Sequence, residues 1–341
     1  MRAGLLGAGS ARVPTGAALA EPRRSLLSFD DLPGWAEDDL QAAFDVFRST
    51  CGDMDPPDRA ALRAMADANP DPREFFERFF TPVMIQDGVE ALFTGYFEPE
   101  LRGARRPGGR YQHPVYGLPD RLGHPTPTRR QIEEDTLLSG QGLEIAWVDD
   151  PVDLFFLQVQ GSGRIRLEDG TMIRVGYAGT NGHDYSSVGR ELVARGILQP
   201  HLVSADAIRD WVQSNPDAGR ELLWTNASYV FFREVNDVPP DLGPLGAMNR
   251  PVTALRSIAV DPAHVPLGAP VWIETEGETA FRRLMIAQDT GSAIKGAQRA
   301  DIFFGTGAEA GRQAGRVRDD GRMVVLLPNQ RALASLSETV E

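Results

Sequence analysis

At 341 residues, 42% hydrophobic and 24% charged, the chain is long enough for two domains and a sizeable core. A net charge of −13 with no block of basic residues argues against a nucleic-acid partner. A single cysteine, Cys51, excludes an intramolecular disulfide; five histidines without ligand spacing point to no metal site, and no apolar run is long enough for a membrane-spanning helix.

In chain order, residues 1–30 read as a weak signal-like or disordered N-terminus, because Arg12 and Pro14 interrupt the apolar stretch a secretory signal needs. Residues 31–97 read as a helical part, with helices over 38–49, 57–68 and 71–80. Leu40, Phe44 and Phe47 share one face of the first, and Phe75, Phe76, Phe79 and Phe80 are expected in the core. From Phe93 the character changes to short strands and turns, as the 35 glycines and 25 prolines lead one to expect. A strand over 93–100 ends at Pro99, a loop follows over 102–110, and a short helix over 129–139. Strands are expected over 143–148, 154–160, 164–167 and 172–177, the last two joined by a hairpin turn at 168–170. Residues 187–194 and 204–214 read as helices, the second capped by Ser204. Pro239, Pro240 and the linker 241–246 mark a boundary. Beyond it, strands over 255–260, 270–274, 284–287, 302–304 and 323–327, with a helix over 308–316, have the spacing of a small barrel.

Three aspartates stand out in that last region. Asp261 ends an apolar run, Asp289 ends another before a glycine turn, and Asp301 opens a third. Taken singly, each is also what a capped turn looks like. Together with the stretches FTGYFEPEL (93–101), LFFLQVQGSGRIRL (154–167) and SYVFFRE (228–234), they resemble the three-aspartate (3D) module and the membrane-bound lytic transglycosylase A family, over about residues 93–328. That family cuts the glycan strands of bacterial peptidoglycan.

The resemblance implies a mainly β fold with peripheral helices. A double-psi β-barrel over 239–330, joined by the N-terminal helices, would have a β-rich domain inserted at 98–238, a groove between the two, and a tail over 331–341. It implies Asp301 as the catalytic acid, with Asp289 and Asp261 in support. In a strand Asp301 and Phe303 share one face while Ile302 and Phe304 share the other, so apolar neighbours are expected to raise its pKa from about 3.9. Lys295 is implied as a substrate contact and could also pair with Asp289, which could otherwise hold its loop by accepting backbone N–H groups. Gln158 and Gln160, alternating with Leu157 and Val159, are expected to present two amides to sugar hydroxyl and N-acetyl groups. Gly161 and Gly163 would admit a close chain, Ser162 would add a contact, and Tyr96 and Tyr177 would stack on sugar rings. An outward polar strand face and ordinary packing are the plain alternatives for these residues. Glu98, in the GYFEP motif, is implied as a further substrate contact and is the second acid near the junction.

No cofactor and no metal are implied. The expected partner is the glycan strand of peptidoglycan, with other cell-wall enzymes as further partners, no nucleic acid, and a monomeric state. The expected location is the periplasm with outer-membrane association. Family members carry a lipoprotein cysteine near the N-terminus, whereas Cys51 follows no lipobox. Three other readings compete. Asp289-Thr-Gly-Ser292 matches an aspartic-protease tetrad, but no second copy supplies the paired acid. An ordinary hydrolase would need a second carboxylate. A non-catalytic wall-binding module would cleave nothing.

Overall fold

The computed structural model describes residues 22–54, 58–277 and 280–337. Residues 1–21 of the signal-like opening and Pro57, expected to start the second helix, lie outside the described residues; the rest of that opening is ordered, with Arg23–Leu26 forming a strand. The chain folds as two units: a central unit of Tyr96–Pro244 with Thr306–Gly315, and an aspartate unit of the described residues up to Gly95, Leu245–Gly305 and the chain from Arg316.

The aspartate unit opens with β1 (Arg23–Leu26), α1 (Leu40–Thr50), α2 (Asp58–Asp67) and α3 (Pro72–Phe79). Asp39 and Asp71 cap α1 and α3 by accepting main-chain N–H groups, and Pro72 takes the first helical position of α3. Leu40, Phe44 and Phe47 join Phe75, Phe76 and Phe80 in one buried cluster. Its rings meet edge to face, 5.0 Å apart for Phe44–Phe75 and 5.7 Å for Phe47–Phe80. Phe80 leaves the helix and opens β2 (Phe80–Gln86), a strand not expected from the sequence, and β3 (Leu92–Glu98) follows.

The central unit continues with β4 (Glu100–Ala104), β5 (His113–Tyr116), α4 (Arg129–Glu134), β6 (Glu144–Val148), α5 (Pro151–Gln160), β7 (Ser162–Leu167) and β8 (Met172–Thr180). Then come α6 (Val188–Ala194), α7 (Ala205–Ser214), α8 (Pro216–Trp224) and β9 (Val230–Glu234). Its sheet runs β5-β6-β4-β7-β8-β9, antiparallel except for β4 beside β7. The hairpin turn closes as expected, with Gly170 at φ +84°, and Ser204 caps α7.

Residues 154–160 correct the sequence reading: they are helix α5, not a strand. Asp150 accepts the N–H groups of Val152 and Asp153, Pro151 sits in the first turn, and Gly161 stops the helix at φ +73°. Every residue from Leu154 to Gln160 is buried. A helix covered on all sides has no polar face, so its sequence shows no helical period.

The aspartate unit resumes with β10 (Ser257–Val260), β11 (Pro270–Thr275), β12 (Arg282–Thr290) and β13 (Arg299–Thr306). After α9 (Gly307–Arg316) come β14 (Arg318–Asp319), β15 (Gly321–Pro328) and α10 (Asn329–Ser337). Thr306–Gly315, read from sequence within the 239–330 segment, group with the central unit, and the expected tail begins inside α10. Among the described residues the strand order is β1-β2-β15-β11-β12-β10-β13-β3-β14, with β10 and β12 parallel. The order is open, with β1 and β14 as its edges, and no closed barrel is found. All of β10 and Arg299–Phe304 of β13 are buried, so the centre of this sheet is covered on both faces.

Candidate active site

Strand register sets two of the three aspartates in one row. Ala259 of β10 pairs with Asp289 of β12 on one side and with Asp301 of β13 on the other. At ordinary strand spacing their Cα atoms are about 10 Å apart. A bulge at Ile258/Ala259, where the pairing passes from Ala287 to Asp289, brings Asp289 into this row. Asp261 follows just past the end of β10.

Asp301 is fully buried. Its Oδ1 accepts a hydrogen bond from Thr94 Oγ1 at 2.6 Å. Arg299 Nη2 donates to the same Thr94 oxygen at 2.8 Å, and Arg299 Nη1 donates to Leu92 O at 3.2 Å. Burial pushes the Arg299 guanidinium below its ordinary range; the Asp301 charge pulls it back up, and Arg318 adds to the downward push. Sequence reasoning passes over both Thr94 and Arg299. The two-residue strand period carries a signal for the second: Arg299 shares a face with Asp301, whose neighbours there are a cation and Phe303 rather than apolar groups alone.

The other two acids are tied to turns. Asp289 Oδ1 accepts the N–H groups of Ala247 and Thr290, each at 3.0 Å. Asp261 accepts from Ala263 N–H at 3.2 Å and, through Oδ2, from Gly296 N–H at 3.0 Å. Lys295 pairs with Asp261, at 3.6 Å, and of the two options for Asp289 the bonds from backbone N–H groups are the ones present. The turn after β12 folds back past the end of β10, held there by Asp261 on Gly296 and by Asp87 on Ala297 N–H at 2.8 Å. Lys295 is 64% exposed, so this ion pair adds little stability.

In the central unit, the residues expected to contact sugar are mostly interior. Two positions apart on a helix, Gln158 and Gln160 point about 200° away from each other, not the same way. Gln158 accepts from Arg129 Nη2, and that guanidinium lies between the rings of Phe155 and Tyr229, 4.8 and 5.1 Å from their centroids. Gln160 Oε1 accepts the Phe97 N–H at 3.1 Å. Gly163 is approached by the protein itself: a Cβ there would lie 2.4 Å from Leu157 Cδ1 and 3.0 Å from Pro99 O. Ser162 and Tyr96 are buried, while Tyr177 is half-buried and packs on the unit's core, paired with Phe232.

Glu98 is fully buried between two arginines. Arg164 Nε and Arg174 Nε each lie 2.8 Å from its carboxylate, and Thr306 Oγ1 donates to Oε2 at 2.8 Å. Both arginines also donate to Leu242 O, at 3.0 and 2.6 Å. The group expected near substrate is therefore the centre of an ion triad that ties β3, β7 and β8 together, with both arginines also bound to the main chain at Leu242.

The MltA specific insert domain matches residues 92–233, and the 3D domain matches residues 256–327. The crystal structure of membrane-bound lytic murein transglycosylase from Agrobacterium tumefaciens has a TM-score of 0.81 to this chain at 33% identity, covering 92% of this chain and 99% of that one. The chain belongs to the membrane-bound lytic murein transglycosylase A family. Within the family, membrane-bound lytic murein transglycosylase A of Vibrio cholerae is 37% identical over 242 residues, 68% of this chain; the aligned part spans 64% of that relative's length. Escherichia coli MltA, solved with bound chitohexaose, has a TM-score of 0.73 at 29% identity, covering 85% of this chain and 90% of that one. All three aspartates, and Arg299, lie in the 3D match, whereas Thr94 and Glu98 lie in the insert match.

Proposed function

We propose that this family member is a peptidoglycan lytic transglycosylase. It would cut the β-1,4 bond between N-acetylmuramic acid and N-acetylglucosamine without water, using Asp301 as acid and then as base. The observation that carries the reading is the setting of Asp301: a fully buried carboxyl group whose Oδ1 accepts the Thr94 hydroxyl, beside a buried guanidinium. Burial favours the protonated form of a carboxyl group, while a donor and a nearby cation favour the ionised form. A group needed in both states in turn is well served by such a balance. Asp301 gives its proton to the glycosidic oxygen as the bond to C1 of the muramic acid breaks. The C6 hydroxyl of that sugar then attacks C1 and returns a proton to Asp301, so the bond C1–O6 forms and no water is consumed. Asp289 and Asp261 act as supports, their carboxylates holding the turns on either side. Of the sugar contacts in the central unit, half-buried Tyr177 stays in this proposal, as does exposed Lys295 of the aspartate unit. Support for a glycan substrate comes from the relatives' names and from the chitohexaose bound by E. coli MltA.

A second reading, hydrolysis, has one observation in its favour: Asp289 shares the cross-strand row with Asp301. The product separates them. Muropeptides released from purified sacculi are expected to end in 1,6-anhydro-N-acetylmuramic acid, lighter by one water than the hydrolysis product, and mass spectrometry of the digest reads this directly. Reducing-end muramic acid as the main product would replace the proposal with a hydrolase using two carboxylates. No released fragments would leave a wall-binding module. Activity is also expected to survive dialysis against EDTA; loss on chelation with recovery on adding a divalent ion would refute the metal-free scheme. The double-psi form of the aspartate unit belongs to the same proposal, supported by the parallel β10–β12 pair, as does a periplasmic, outer-membrane-associated location, supported by the relatives' membrane-bound names.

A further inference from the structure

We infer that Thr94 and Arg299 are a positioning pair that decides which oxygen of Asp301 carries the working proton; the inference rests on Asp301 being the acid and base proposed above. Arginine offers only donors, so in the 2.8 Å contact the Thr94 oxygen must accept from Arg299 Nη2. The one hydrogen of the threonine hydroxyl is then turned toward Asp301 Oδ1, 2.6 Å away. An oxygen already accepting a short O–H bond is the poorer seat for the acid's own proton, so that proton sits on Oδ2. Thr94 is 5% exposed and Arg299 3%, so water does not compete for either bond. Arg299 is itself held, by Leu92 O and by Ala300 O.

The charged groups around Asp301 come from several strands. Arg299 lies two residues before it on β13, Arg318 of β14 pairs with Thr94, Asp289 lies across Ala259, and Asp261 follows the end of β10. The arginines favour the carboxylate and the aspartates oppose it, while the Thr94 hydroxyl favours it by donating. The alkaline limb of the pH–rate profile reports the acid that must be protonated for bond breaking. Removing a group that favours the carboxylate therefore moves that limb to higher pH.

The test uses the full chain with soluble glycan strands, and reads rate against pH together with thermal unfolding. Thr94→Val is expected to lower the optimal rate by about tenfold to a hundredfold and to move the alkaline limb up by about one pH unit, with Thr94→Ser restoring both. Arg299→Gln keeps a donor but loses the charge, and is expected to move the limb the same way. If Thr94→Val does not fold, Arg299→Gln and Thr94→Ser carry the test. A folded variant with a lower rate and an unmoved limb overturns the inference, because a structural role would give that result. So does a Thr94→Ser variant no better than Thr94→Val. Asp301→Asn keeps the two readings apart. If it stays active, the acid assignment itself fails; if it is inactive while both neighbours' variants match the parent in rate and limb, only the positioning pair fails.

Discussion

Asp301→Asn is expected to remove nearly all glycan cleavage while leaving the protein folded. The carboxamide is close to the carboxyl group in shape, and its oxygen still accepts the Thr94 hydroxyl that Asp301 Oδ1 accepts at 2.6 Å. What it lacks is a proton to give to the glycosidic oxygen and a basic oxygen to take one from the C6 hydroxyl. With one residue proposed for both transfers, a loss of about a thousandfold is expected. Initial rates of fragment release from purified sacculi, read beside the thermal unfolding curve, measure it. A folded variant turning over within about tenfold of the parent would reject Asp301 as the acid.

Glu98→Ala is expected to cost stability before it costs chemistry. The substitution strands Arg164, 14% exposed, and Arg174, 7% exposed, beside one another with no anion between them, and removes the acceptor of Thr306. Breaking a buried ion group by deleting one member costs about 3–5 kcal/mol. For a unit of this size that corresponds to a fall in Tm of roughly 10 °C. Glu98→Gln keeps an acceptor for one arginine and is expected to lose less. Thermal unfolding followed by circular dichroism gives the first number, and glycan cleavage well below the new Tm gives the second. An unchanged Tm with cleavage abolished would reverse the assignment and make Glu98 part of the chemistry.

Much of the local structure can be read from the chain. Asp39, Asp71 and Ser204 precede helices they cap, because capping involves only groups within one turn. The phenylalanines of α1 and α3 fall on one face because the other face meets water. The three aspartates stand out because each borders a short apolar run, and the motifs around them are distinctive enough to carry the family. Helix α5 is not readable in that way: burial on every side erased the contrast between faces, and its chain of apolar residues looks like a strand. Only its caps, Asp150 and Gly161, betray it.

What acts at long range was decided by tertiary structure. Lys295 is six residues from Asp289 in the chain, yet the turn takes it to Asp261. Asp289 and Asp301 share a row only because two different strands flank Ala259 and a bulge shifts one register by a residue. Thr94 meets Asp301 across a separation of 207 residues. The sequence by itself determined the residue types, the caps and the apolar runs, since these depend on neighbours a few positions away. The folded sheet determined which acid is dry, which is spent on a turn and which hydroxyl is aimed at it, since strand pairing brings together groups that no local pattern connects.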